Sequence, residues 1–154
     1  MIVRNVKDVE TINIKEIEYQ GKKYEVKKGS MKWLVHSDLG GPEYKHNYAI
    51  RYFTMGPGGI VPMHSHDYVQ SAFILSGEIL ITTDSEEVKV GTGDLAYISS
   101  YQPHEFKNAS ETEEAIFTCT IDCPRGKDSC SASPVREISL RRDRESNEPV
   151  CVGC

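Results

Sequence analysis

Three histidines of this chain stand at spacings that could gather them on one ion. His64 and His66 lie two residues apart in Pro62-Met-His-Ser-His-Asp67. On an extended strand, residues so spaced project to the same side. His104 opens a second β-type run, His104-Glu-Phe-Lys-Asn108, and Gln70 could add an amide oxygen if the chain continues past a bend. Neutral imidazole is the commonest protein ligand for first-row transition metals, so the expected cofactor is one divalent ion: Zn, Ni, Mn, Fe or Co. All four donors are neutral and leave the ion its full charge, which suits polarising a carbonyl or hydroxyl better than activating oxygen. Two blander readings stay open. Gln70 could serve only as a hydrogen-bonding residue beside three histidine ligands, and a His-x-His pair alone is often just a pair of hydrogen-bonded histidines.

Positioning such donors calls for strands. Runs of β-type residues recur at Lys23–Val26, Met31–His36, Tyr48–Met55, Ser71–Leu75, Glu78–Thr82, Glu87–Val90, Leu95–Ile98, His104–Asn108 and Ala115–Ile121. Turn residues punctuate them, notably Gly56-Pro57-Gly58-Gly59, Ser76-Gly77 and Gly91-Thr92-Gly93-Asp94. Many short strands at this spacing predict an all-β sandwich or barrel. Val6–Ile17 fits a helix or an extended segment equally well, because its β-branched content suits both.

The stretch Gly58 to Gly77 resembles the first motif of the cupin superfamily, with His64 and His66 in the His-x-His positions and Gln70 where that motif carries Glu. Gly93, His104 and Asn108 match the second motif, while Ser99 and Tyr101 replace its usual Pro and Gly. The resemblance spans roughly residues 30–122. It implies a double-stranded β-helix, or jelly-roll barrel, with the site in its mouth. Residues 61–82 are also similar to the uronate-linearising cupins of pectin and alginate degradation. That group carries an Asp six residues before an Arg, and here Cys119 precedes Arg125. A thiol titrates several units above a carboxyl, so the scaffold and Arg125 carry over and the activity does not.

Arg51 stands in an otherwise apolar and aromatic run, Tyr48-Ala-Ile-Arg-Tyr-Phe-Thr-Met55. Turned inward, it needs a partner or an anion such as a substrate carboxylate; turned outward, it is simply solvated. Arg51, Arg125 and Tyr101 are the candidate catalytic residues, with Tyr52, Tyr97 and Phe106 as further pocket candidates. Trp33 is expected in the core or at a dimer interface. The functional expectation is a metal-dependent enzyme with isomerase- or lyase-type chemistry on a sugar acid or similar hydroxy-carbonyl compound. The alternatives are a non-enzymatic ligand-binding or sensing cupin and a metal-dependent dioxygenase.

At 154 residues and a net charge of −5, the chain suits one domain with a real core. No apolar run approaches a membrane span, the N-terminus is no signal peptide, and the acidic balance argues against nucleic acid. A cytoplasmic homodimer that binds a small molecule is expected. Composition shifts near residue 123: the first 122 residues carry a net charge of −6 and the rest +1. Residues 1–122 therefore read as the barrel with its N-terminal strands, and 123–154 as a cysteine-containing tail. Cys123, Cys130, Cys151 and Cys154 could hold a second metal, pair as disulfides or remain free thiols, while Cys119 reads as a core or pocket thiol.

Overall fold

The computed structural model describes residues 1–123, and the fold is the all-β jelly roll that the motifs imply. Eleven strands follow in chain order. The first four are β1 (Ile12–Asn13), β2 (Glu16–Tyr19), β3 (Lys22–Glu25) and β4 (Lys27–Val35). Then come β5 (Tyr48–His64), β6 (Gln70–Ser76), β7 (Glu78–Thr83) and β8 (Glu87–Gly91), followed by β9 (Leu95–Ile98), β10 (His104–Asn108) and β11 (Ala115–Asp122). The main sheet runs β8-β7-β10-β5-β11-β6-β9, with β4 also on β5 and β1 on β4; β2 and β3 form a separate hairpin. Val6–Ile17 is not helical beyond a single 3-10 turn at Val6–Asp8: its β-branched residues enter β1 and β2.

β5 connects the two layers. Its first half pairs with β11 and β4, and its end, from Ile60 to His64, pairs with β10. The glycines at 56, 58 and 59, expected to end a strand, instead bend one of 17 residues. The reason is steric. A Cβ on Gly59 would stand 2.8 Å from the Gly56 carbonyl oxygen and 3.1 Å from that of Lys27, so only glycine lets the backbones of β5 and β4 approach this closely.

Alternation then sorts the side chains. Along β5, Ala49, Arg51, Phe53 and Met55 point inward; along β11, Ala115, Phe117, Cys119 and Ile121 do; along β10, His104, Phe106 and Asn108 do. Phe117 lies between Phe53 and Phe106, with ring centroids 5.0 and 5.3 Å away and planes nearly parallel. This three-ring stack joins strands from both layers, and His104 meets its Phe106 end edge-on at 5.6 Å. Trp33 is core, packed beside Arg51.

Asn108 fixes the bend from the opposite strand. Its Nδ2 donates to the carbonyls of Met55, Gly56 and Glu113 at 2.8–3.0 Å, and its Oδ1 accepts from the Ser110 N–H at 2.9 Å. The residue is fully buried, so its removal orphans several backbone groups at once. Asn108→Ala is expected to lower unfolding stability by roughly 2–4 kcal/mol, read from the shift in urea midpoint at constant slope. A shift below about 0.5 kcal/mol would show that the clamp is not structural.

Candidate metal centre

The bend brings the histidines together. His104 on β10 is the cross-strand partner of His64 on β5, so both rings project from one face of the pair. His66 lies just beyond the end of β5 and not on the strand as its spacing suggests, yet its ring still turns toward the other two. Ring centroids stand 4.2 Å apart for His64–His104 and 4.9 Å for His66–His104. One ligand nitrogen from each of the three lies within 4.8 Å of the others.

Each ring is oriented by a carbonyl two residues away. His64 Nδ1 contacts the Pro62 oxygen, His66 Nδ1 that of Tyr68 and His104 Nδ1 that of Gln102, all at 2.8 Å. A carbonyl only accepts, so each Nδ1 carries the proton and each Nε2 presents a lone pair. Burial keeps the rings neutral. Desolvation first, then the neighbouring His104, lowers the pKa of His64 to about 3 and that of His66 to about 4; desolvation also lowers that of His104. His104 Nε2 is buried with no hydrogen-bond partner.

Gln70, at the start of β6, completes the group. Its Oε1 lies 3.2 Å from His66 Nε2 and accepts from Arg51 Nη2 at 3.2 Å. With the His66 proton on Nδ1, two acceptors face each other across that 3.2 Å. Turning the amide over would instead set its NH2 against the guanidinium. A cation between Nε2 and Oε1 removes the conflict, so the donor set fits a metal ion both in its lone pairs and in its unpartnered nitrogen.

Arg51 points into the barrel and is 3% exposed, which removes the solvated alternative. Its Nη2 also donates to Cys119 Sγ at 3.1 Å, and its Nη1 approaches the Tyr68 hydroxyl at 3.5 Å. Burial opposes the guanidinium charge, but Cys119 and Tyr68, which are ionised at the high pH where a guanidinium titrates, outweigh it and the pKa is raised. Burial likewise raises the pKa of the Cys119 thiol. Tyr68 is the site residue that sequence reasoning missed: it stacks on His66 with centroids 3.8 Å apart. The two-residue spacing of His66, Tyr68 and Gln70 was the signal that could have revealed it.

The other candidates lie elsewhere. Tyr52 faces outward and helps line a cavity of about 420 Å³ with Ile2, Arg4, Leu34 and Leu75. Tyr97 is exposed on β9, and Phe106 is core. Tyr101 sits at the rim, 67% exposed, with its N–H donating to the His66 carbonyl at 2.7 Å. Cys119 is a free, buried thiol, and Cys123 is disulfide-bonded. Arg125, Cys130, Cys151 and Cys154 lie outside the described residues.

A cupin domain family matches residues 51–121, the segment that contributes the three histidines, Gln70 and Arg51. Residues 51–121 are a cupin domain. No curated protein sequence matches the chain. Solved structures share the fold. The polyketide cyclase RemF from Streptomyces resistomycificus is 19% identical with a TM-score of 0.65, over 82% of this chain and 84% of that one. An RmlC-like cupin from Shewanella frigidimarina is 14% identical with a TM-score of 0.60, over 79% and 90%. A predicted oxalate decarboxylase from Thermotoga maritima is 19% identical with a TM-score of 0.62, over 80% and 99%. No helix among the described residues is long and apolar enough to cross a membrane.

Two outcomes follow from this site. In metal-free protein the unfolded chain binds protons on histidine below about pH 6.5, while the folded rings stay neutral to much lower pH. Stability is therefore full above pH 6.5 and falls as pH drops toward 4, by about 2 kcal/mol per neutral ring between pH 7 and 5. Urea unfolding of chelator-treated protein across that range measures it, and a flat profile contradicts the burial argument. Separately, Tyr101 holds φ +62°, a left-handed conformation that a non-glycine residue adopts at a cost. Tyr101→Gly is expected to raise stability by up to about 1 kcal/mol, read as a higher Tm.

Proposed function

We propose that this cupin holds one divalent transition-metal ion with His64, His66, His104 and Gln70 and acts on a small hydroxy-carbonyl compound, such as a sugar acid, in isomerase- or lyase-type chemistry. The observation that carries the reading is the convergence of one ligand nitrogen from each of three histidines within 4.8 Å of one another, with His104 Nε2 buried and unpartnered. When bound, the ion supplies a Lewis acid that polarises a carbonyl or hydroxyl oxygen. The chain's own groups do the rest. The backbone carbonyls of Pro62, Tyr68 and Gln102 hold the imidazoles in the ligating tautomer. Arg51 holds the Gln70 amide oxygen toward His66. The buried Phe106 end of the aromatic stack packs edge-on against His104 and gives that side of the site an apolar floor. Tyr101 stands at the rim, where its hydroxyl can meet a substrate without touching the histidines. Four neutral donors favour this reading over a dioxygenase, because they lend no anionic charge to a higher oxidation state.

Assembly as a homodimer belongs to the same proposal. Phe73 pairs with Leu95 across β6 and β9, and both are exposed beside Tyr97 and Leu75 on the outer face. Such an apolar patch suits a second copy.

Metal analysis and titration test the centre. Zinc is expected to bind at one equivalent, and His104→Ala is expected to weaken it by at least about 100-fold. Gln70→Glu is expected to tighten zinc roughly tenfold by adding a charged donor. Unchanged affinity in that variant removes Gln70 from the ligand set, and unchanged affinity in His104→Ala removes the centre.

A further inference from the structure

Arg51 is the one formally charged side chain among the buried described residues; the other buried polar groups are His66, Gln70, His104 and Asn108. A guanidinium taken out of water normally meets a carboxylate, because neutral acceptors return only part of its lost hydration. Here its polar partners are an amide oxygen, a thiol and a phenol hydroxyl, and each is neutral. The rings of Trp33, Phe53 and Tyr68 surround its Cζ at 5.3–5.7 Å and offer only the weak attraction of their π faces. Its Nε is buried and donates to nothing. Asp67, the acidic residue nearest in sequence to the histidines, is half-buried and acts electrostatically on Tyr68. The barrel thus contains a positive charge with unused donors and, among the described residues, no buried counter-ion.

The same guanidinium touches Gln70, and Gln70 touches His66, so this charge borders the metal group directly. Loading a divalent ion would set three positive charges among neutral donors, an arrangement that calls for an anion more strongly than either cation alone.

We propose that Arg51 is an anion-binding residue that makes the site selective for small organic carboxylates, held with the carboxylate against the guanidinium beside the histidine group. The inference rests on the metal-centre reading for the adjacent position but not for the pairing itself. It narrows the substrate class from hydroxy-carbonyl compounds to their acids. The planar fork of Arg51 suits a carboxylate better than an ammonium would, and its aromatic surroundings exclude the water that otherwise screens the pair.

The test compares glycolate with its uncharged isostere glycolamide on zinc-loaded and on chelator-treated protein. Binding is followed calorimetrically and by the fluorescence of Trp33, the single tryptophan, which lies against Arg51. Glycolate is expected to bind zinc-loaded protein at least tenfold more tightly than glycolamide. With zinc held at saturation, Arg51→Met is expected to cut the preference for glycolate over glycolamide at least tenfold. The methionine fits the aromatic surroundings, and Arg51→Gln gives the same readout if the first variant does not fold. Wild-type protein that binds both compounds equally, or an Arg51→Met or Arg51→Gln variant that retains the preference for glycolate, overturns the proposal. If the protein takes up no zinc, the metal reading fails alone. Arg51-dependent glycolate binding to that protein still supports the anion site, and its absence rejects it.

Discussion

A single continuous strand has to serve two layers, and the rest of the structure depends on how it turns. β5 pairs with β11 and β4 through Arg51 and its neighbours, then bends and pairs with β10 through Val61 and His64. The turn is permitted by the absence of a side chain at Gly59, where carbonyls from two strands crowd the backbone, and it is held by the buried amide of Asn108. Because of it, a residue from each half of one strand reaches the same interior. A hydrogen-bonded break at Gly56–Gly59 would have uncoupled the position of Arg51 from that of His64.

The electrostatics of the interior follow from that meeting. Neutral rings, a neutral amide and one guanidinium share a volume that contains no buried carboxylate among the described residues. Burial alone would favour an uncharged interior, and the depressed histidine pKa values express that preference. Arg51 opposes it, since its guanidinium does not give up its proton under ordinary conditions. The core around it is otherwise apolar, so packing accounts for Phe53, Phe106 and Phe117 but not for the arginine.

Much of this was legible in the residues. Alternation in His104-Glu-Phe-Lys-Asn108 places three side chains on one face, and the structure orients all three inward. The recurrent short strands suggested a sandwich or barrel, and the resemblance carried by the glycines and histidines implied the barrel. What sequence could not supply were the facts that depend on packing between distant segments. Gly56–Gly59 reads as a stop because local turn chemistry gives no sign that Lys27 and Ser110 lie alongside. The direction of Arg51 depended on the pairing register of β4, β5 and β11, which a run of mixed apolar and aromatic residues does not determine. Tyr101 stands at a glycine position of the motif and keeps the left-handed conformation there, which local propensity disfavours for a tyrosine.

The carbonyls that orient the three imidazoles belong to Pro62, Tyr68 and Gln102, each two positions from the ring it holds. Every residue type has a carbonyl, so this support does not depend on which side chains occupy those positions. The proton arrangement of the site is inherited with the backbone path. Descendants of such a chain can exchange nearly all of the surrounding side chains, lose any sequence trace of common origin and still present the same three lone pairs. The memory of the site resides in the course of the main chain.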